Sequence, residues 1–467
     1  MAEGSVMRQR TRFWSSVLVL ASLAFCSGAA ASHDTPATAG ATAITAGVTH
    51  ACAVTVAGSA KCWGANGRGQ VGDGSWTRRL IPHDVHGLSV EVRAIAGGNA
   101  STCVLTSAGA AKCWGENFYG QVGDGTTVIR NTPVDVSGLA SGVNAISVGG
   151  ESNCALTSVG GVKCWGSNCC GQLGDATSID RRTPVDVVGL RTGVTAIAAN
   201  GSYTCALTSA GGVKCWGDNS QGQLGDGTTG EHRTPVDVSG LTSGVAAITV
   251  GGLHTCALTT AGGVKCWGYN FAGALGDGSR IDRHTPVDVL GLTSGVVAIA
   301  AGFGHTCAIT AGRAVECWGY NYFGQLGDGS KAEHLTPVEV SGLESGVVGL
   351  AANGQYSCAL TNSGEIKCWG GNDDGQLGDG TRIGHDTPGA VVGFGGSLPP
   401  TACVVPNVVG KRLAKARARI ERAHCRVGTV SRVLSTKTRG IVVRQTPRAG
   451  RRLAQGARVD LKVSRGR

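Results

Sequence analysis

The chain has 467 residues, of which 77 are glycine and 19 cysteine; 42 % are apolar, 15 % are charged, and the net charge is +10. So much glycine with so much apolar content suits many short strands joined by tight turns, and no stretch beyond Phe25 is long and apolar enough to cross a membrane. The charge is divided: Val404 to Arg467 carry 18 Lys/Arg against 2 Asp/Glu, a balance of +16, which leaves the remainder acidic at −6.

Residues 1–31 read as an export signal. Arg8, Arg10 and Arg12 form a basic start, Phe13 to Phe25 is a short apolar run, and Gly28 to Ala31 offer small residues to a signal peptidase. Leu23-Ala24-Phe25-Cys26 has the outline of a lipobox, but Phe25 is too bulky for the small residue such a site takes, which disfavours lipid anchoring at Cys26. The expected localisation is secreted or cell-wall associated, and there 19 cysteines read as disulfides.

Residues 43–394 are an array. Trp63, Trp114, Trp165, Trp216, Trp267, Trp318 and Trp369 recur every 51 residues, each preceded by a cysteine, with a second cysteine ten residues earlier. A fixed period of this length marks stacked copies of one small unit. Positions that recur in every copy read as scaffold, and positions that differ between copies are where specificity is expected.

The fifth copy shows the unit. Val245 to Val250 is apolar and ends at Gly251-Gly252, His254 to Thr259 alternates, Thr260-Ala261-Gly262 turns the chain and Gly263 to Trp267 returns. Gly268 to Gly278 is too glycine-rich for a strand, and Pro286 to Val289 is a fourth short strand with proline at its edge or start. Four strands per unit is the size of a propeller blade, so the predicted fold is all-β, a seven-bladed β-propeller followed by a small α+β domain.

With the turn at 260–262, Cys256 faces Cys266 on one side of the hairpin. Directly opposed Cβ atoms lie about 4.5–5.5 Å apart, close to disulfide reach. The register predicts seven bonds: Cys52–Cys62, Cys103–Cys113, Cys154–Cys164, Cys205–Cys215, Cys256–Cys266, Cys307–Cys317 and Cys358–Cys368. The recurring Asp-Gly (Asp73, Asp124, Asp226, Asp277, Asp328, Asp379) reads as turn chemistry, since one carboxylate per copy is too few oxygens for calcium.

The segment VKCWGDNSQGQLGDGT (Val213 to Thr228), with RTPVDV after it and HTCALT in the next copy, resembles the repeat of the regulator of chromosome condensation. The resemblance implies a seven-bladed propeller. The nucleotide-exchange activity of the family's nuclear namesake depends on an inserted wedge, and the uninterrupted array has none. Secreted bacterial propellers of the same family include an inhibitor of β-lactamases.

Residues 395–403 form a Gly/Ser/Pro linker, and residues 404–467 a separate domain. Lys411 to His424 has helical spacing of Leu413, Ala416, Ile420 and Ala423; Arg426 to Val433, Gly440 to Gln445 and Ala457 to Val463 read as strands. VPNVVGKRLAKARARIERAHCRVG, VVRQTPRAG and ARVDLKVSRG resemble the domain associated with penicillin-binding proteins and serine/threonine kinases, PASTA. That resemblance implies recognition of peptidoglycan fragments or cell-wall localisation; the strong basicity departs from the family and suits attraction to anionic wall polymers or peptidoglycan carboxylates, with Lys411, Arg412, Lys415, Arg419, Arg422 and Arg426 as wall-binding candidates. Cys403 and Cys425 form an eighth candidate disulfide.

No catalytic constellation, cofactor motif or metal-ligand spacing is present, and no cofactor is expected. His50, His254 and His305 share one repeat position, where polar capping is favoured over a metal. The variable pair in the NxxGQ segment is aromatic in several copies: Phe118-Tyr119, Phe271 beside Tyr269, and Tyr322-Phe323 beside Tyr320 are the partner-binding candidates. In the third copy the pair is Cys169-Cys170, either a vicinal disulfide or two reactive thiols. The expected function is non-enzymatic binding of an extracellular protein or glycan, with the tail at the cell wall. A secreted inhibitor of a β-lactamase or penicillin-binding protein is the alternative, and exchange-factor activity a remoter one. Nucleic acid is disfavoured, because the basic domain has almost no aromatic residues for base stacking.

Overall fold

An alternating hairpin buries its apolar face only when a neighbouring sheet covers it, and the repeat supplies that neighbour. The computed structural model describes residues 40–395, 403–423, 425–449, 452–453 and 458–466. The expected signal peptide and Cys26 lie outside these residues.

In the first copy Ala41–Ala46, His50–Thr55, Ala60–Gly64 and Arg79–Asp84 form a four-stranded antiparallel sheet in chain order. Six further sheets repeat it, the last ending with His385–Ala390. The first strands of successive sheets pack on one another, and Ala41–Ala46 packs on Val347–Asn353 of the seventh sheet. The ring is therefore closed as a seven-bladed propeller, and no strand is shared across the seam.

The third strand of the fifth sheet is Val264–Gly268, one residue later than expected, because Gly263 is used in the turn, where its carbonyl accepts from Thr259 N–H at 2.8 Å. The fourth is Arg283–Asp288, so Pro286 sits inside it. The outer edge has no further neighbour, which is why a residue without an N–H is tolerated there. Gly64, after the first tryptophan, has φ +104°, and a Cβ there would lie 2.5 Å from the Thr49 carbonyl oxygen. Ala176 stands where other copies carry the glycine of Asp-Gly and adopts φ 65°, so the turn keeps its left-handed residue at some steric cost.

All seven hairpin disulfides are present, from Cys52–Cys62 to Cys358–Cys368. The bonded cysteines form part of the apolar layer between blades. Each tryptophan leaves its own blade and completes the core of the preceding one: Trp114 packs with Cys52, Cys62, Val71 and Val92. Its Nε1–H donates to the Gln70 carbonyl at 2.9 Å. The same bond joins every successive pair of blades, and across the seam Trp63 donates to Gln376 O at 2.8 Å. Phe394, at the position of Leu343 one copy earlier, lies 6.3 Å from the Trp63 ring and enlarges the apolar contact where the ring closes.

Trp63→Ala is expected to cost about 3–5 kcal/mol, the usual price of emptying a buried indole site. Chemical denaturation of the variant beside the parent checks this; an unchanged midpoint would mean that the seam is held elsewhere.

In the C-terminal domain a helix, Leu413–Arg422, accompanies the strands Arg426–Val433, Val442–Thr446 and Arg458–Ser464. Arg458–Ser464 is central, parallel to the first of these strands and antiparallel to the second. The helix starts two residues later than expected, because Arg412 is extended and the Lys411 carbonyl accepts from Val442 N–H at 2.9 Å. Ala416 and Ile420 face a core of Val405, Val408, Val442, Val459, Leu461 and Val463. Cys425 is disulfide-bonded; the side chain of its expected partner Cys403 lies outside the described residues.

Candidate binding face

Because neighbouring strands are antiparallel, the loops joining strand one to two and strand three to four emerge at the same end of every blade. The long three-to-four loop is held rigid by its own polar side chains. In the first copy the buried Asn66 donates through Nδ2 to Asp73 Oδ1, Ser75 O and Thr77 O at 3.1 Å each, while its Oδ1 accepts from Val71 N–H. Asp73 accepts from Ser75 N–H, Ser75 Oγ and Arg79 Nε at 3.0, 2.8 and 2.6 Å. Burial opposes its ionisation, but the Ser75 and Arg79 hydrogen bonds prevail and hold the carboxyl below its ordinary value. The recurring aspartate is thus a loop organiser. Its basic partner is arginine in four copies and histidine in three: His232, His334 and His385 bond Asp226, Asp328 and Asp379 at 2.9, 3.0 and 2.7 Å.

This scaffold displays aromatic side chains. Phe271 is 62 % and Tyr322 66 % exposed, and Phe118, Tyr119 and Tyr269 are also exposed, whereas Tyr320 and Phe323 are half-buried. Tyr269 stacks beside Phe271 with centroids 6.2 Å apart, and Phe323 meets Tyr322 and Tyr320 edge-on at 5.0 and 6.4 Å. The Arg68 guanidinium lies 4.9 Å from the Phe118 ring centre and pairs with Glu116 at 3.2 Å. All seven sequence candidates therefore lie at one end of the propeller, in the second, fifth and sixth blades.

Sequence reasoning missed other members of this face. Phe303, 64 % exposed, lies in a one-to-two loop at the position where Gly252 and Gly354 stand in neighbouring copies. Trp76 is exposed beside a cavity of about 480 Å³ lined also by Gly67, Arg68, Arg78 and Asp374. Val128, Ile179, Ile281 and Ile383 share one repeat position and are exposed. Comparison of copies at those positions carries the signal.

The charged residues that vary before and at the start of each fourth strand, such as Arg78 and Glu333, lie at the same end. Arg78–Asp374 at 2.6 Å bridges the first and seventh blades, and Arg280–Glu333 at 2.7 Å the fifth and sixth. Burial, then Glu116 and Asp180, push the Glu151 carboxyl up.

His50, His254 and His305 are buried between blades, beneath this face. The Thr102 hydroxyl donates to Gln70 O at 2.8 Å, so its oxygen accepts from His50 Nε2–H, also at 2.8 Å. His254 and His305 bond Thr306 and Ser357 of the next blade in the same way. Burial lowers the three imidazoles to about 4, 4 and 3, the last also lowered by His254. They are neutral inter-blade ties at neutral pH. Among the described residues no group of three or more His, Cys, Asp or Glu side chains could hold a metal ion.

In the C-terminal domain Lys411, Arg412, Lys415, Arg419 and Arg426 are exposed, and the Arg422 side chain lies outside the described residues. A cavity of about 550 Å³ is lined by Asn407, Val409, Arg444, Gln445, Thr446 and Arg448 among others, which none of the six sequence candidates lines. Its arginines come from the second long strand and the turn after it, segments in which sequence reasoning weighed only secondary structure. No described helix is long and apolar enough to cross a membrane.

Comparison with known proteins agrees with this geometry. The RCC1-like domain family matches residues 141–427, the regulator of chromosome condensation (RCC1) repeat matches segments between residues 41 and 156, and the PASTA domain matches residues 404–465. The ultraviolet-B receptor UVR8 of Arabidopsis thaliana is 30 % identical over 305 residues, 64 % of this chain and 69 % of the receptor. The E3 ubiquitin-protein ligase HERC2 of Mus musculus is 31 % identical over 345 residues, 72 % of this chain but only 7 % of the ligase. Among solved structures, Prp20p from Saccharomyces cerevisiae superposes with a TM-score of 0.64 at 22 % identity, covering 73 % of this chain and 87 % of that one. Human WBSCR16 gives 0.59 at 24 %, covering 66 % and 83 %. With seven four-stranded blades tied by recurrent tryptophans and a basic domain after them, the chain belongs to the RCC1-like domain family and carries a C-terminal PASTA domain.

Proposed function

We propose that this is a non-enzymatic, exported binding protein: the propeller presents its aromatic face to a protein or glycan partner, and the basic PASTA domain associates with peptidoglycan or another anionic wall polymer. One observation carries the reading. Every exposed aromatic side chain of the described propeller, from Trp76 to Tyr322, stands at the same end of the ring. Aromatic groups on rigid loops supply large contact area at little ordering cost, the usual make-up of binding hot spots. Export is supported by the seven disulfides, which persist in oxidising compartments.

The test has two arms. In affinity capture from an envelope fraction, Phe271→Ala with Tyr322→Ala is expected to weaken retention of the captured partner at least tenfold, the scale of one hot-spot residue, with an unchanged melting curve. Full retention would remove the aromatic face from the function. In sedimentation with purified peptidoglycan, Arg444→Glu with Arg448→Glu is expected to release the chain. If the chain instead abolished turnover by a β-lactamase while ignoring wall material, the inhibitor reading would replace this one.

A further inference from the structure

Among the described cysteines of the propeller, fourteen are paired in hairpins and two, Cys169 and Cys170, are free thiols. They occupy the variable pair of the third blade, at the same end as the aromatic side chains. Their sulfurs are 3.2 Å apart, in contact but unbonded. Cys169 is exposed and Cys170 half-buried.

The loop holds this geometry from both sides. Before the pair, Asn168 N–H donates to Asp180 Oδ1 at 2.8 Å, and Asn168 Nδ2 donates to Asp175 Oδ1 and to the Thr177 and Ile179 carbonyls at 3.0, 3.1 and 3.2 Å. After it, Cys170 N–H donates to Gln172 Oε1 at 2.9 Å, and Leu173 N–H to Asn168 Oδ1 at 3.0 Å. Gln172 Nε2 lies 3.8 Å from the Cys169 sulfur. The backbone carrying both thiols is therefore ordered before any ligand arrives, which lowers the cost of binding a group that needs both.

We propose that Cys169 and Cys170 form a preorganised two-sulfur site for a soft, thiophilic Lewis acid of the trivalent arsenic type. Soft acceptors select thiolate sulfur over the oxygen and imidazole donors found elsewhere on this face. The chemistry is a condensation without redox change. An arsenoso group, R–As=O, exchanges its oxygen for two As–S bonds; both S–H bonds break, and the two protons leave with the oxygen as one water. Arsenic stays trivalent, so no oxidant is required. Burial, followed by the neighbouring Cys169, pushes the Cys170 thiol up to about 12. Cys169 is the more exposed sulfur, so an acceptor bound first through it recruits the second sulfur within the chelate.

The probe is phenylarsine oxide, added to the full chain with its hairpin disulfides intact. One equivalent is expected to block both thiols, to add the mass of one arsenical less one water, and to resist excess monothiol while yielding to a dithiol such as 2,3-dimercaptopropanol. Cys169→Ser with Cys170→Gln, which reproduces the Ser220-Gln221 loop of the fourth copy, is expected to abolish binding with the melting curve unchanged. Adducts that a monothiol removes, adducts that persist in this variant, or an intact mass showing the two sulfurs already joined in the untreated chain would each overturn the site.

Discussion

A chain kept reduced from synthesis is expected not to reach the folded propeller, whereas the oxidised chain melts cooperatively. Each hairpin disulfide closes a loop of about eleven residues, worth about 2–3 kcal/mol in the chain-entropy account. A whole domain is ordinarily stable by only about 5–15 kcal/mol, so loss of all seven exceeds what the fold can absorb. The fourteen sulfur-bearing residues are fully buried, so reductant added to the finished protein acts only as fast as blades open. The comparison therefore needs chains refolded with and without reductant, followed by far-ultraviolet circular dichroism. Coincident melting curves would mean that the blades are held by packing alone. A single pair, Cys256→Ala with Cys266→Ala, should lower stability by about 2–3 kcal/mol.

Acid is expected to destabilise the propeller above the range in which the depressed aspartates of its loop network titrate. Burial depresses His50, His254 and His305 from 6.5 to about 4, 4 and 3. Above pH 6.5 folded and unfolded chains both carry these rings neutral, and their neutral-state ties are fully in place. As the pH falls toward 4 the unfolded chain takes up protons that the folded chain refuses, so stability is lost throughout that interval, on the order of 3 kcal/mol for each ring by its lower end. The aspartates of the loop network lie below 3.8, so their contribution disappears only at lower pH. Urea titrations between pH 4 and 7 of the parent and a triple His→Ser variant, serine being the residue of the second and third copies, should give a steep and a shallow dependence respectively. Equal slopes would show that the histidines do not couple folding to protons.

The array was legible because its signals are local and repeated. The ten-residue cysteine spacing and the glycine turn between them determine the hairpin register by themselves, and Trp63 to Trp369 mark the period. Two things were not local. The indole of each copy serves the blade before it, and the carbonyl it bonds lies 44 residues back, or 313 residues ahead for Trp63. No pattern within one copy contains that relation. The candidate face was half legible: the NxxGQ aromatics stand out at one repeat position, whereas Phe303 joins them only once strand order brings the one-to-two loops to the same end, and Trp76 and the Ile179 position only once the long three-to-four loop folds back beside them. The fourth strand begins three residues before Pro286, because a proline is accommodated inside an edge strand as well as at its start. In the tail, helical periodicity located Leu413–Arg422, but the cavity beside Arg444 and Arg448 arises from a tertiary approach of residues 407–409 to 443–449.

The absence of a shared strand at the seam has an architectural consequence. Each blade is a single unbroken stretch of chain, and the junction between the first and seventh blades uses the same tryptophan-to-carbonyl bond as the other six. The backbone contact between blades also recurs there: Ala41 N–H donates to Gly364 O at 2.9 Å, as Val92 N–H does to Gly58 O at 2.8 Å between the first and second blades. The ring thus has no privileged opening: joining residue 395 to residue 40 through a short linker and cutting in any inter-blade loop would preserve all seven junctions, so a circularly permuted propeller keeps the same set of contacts in a different chain order.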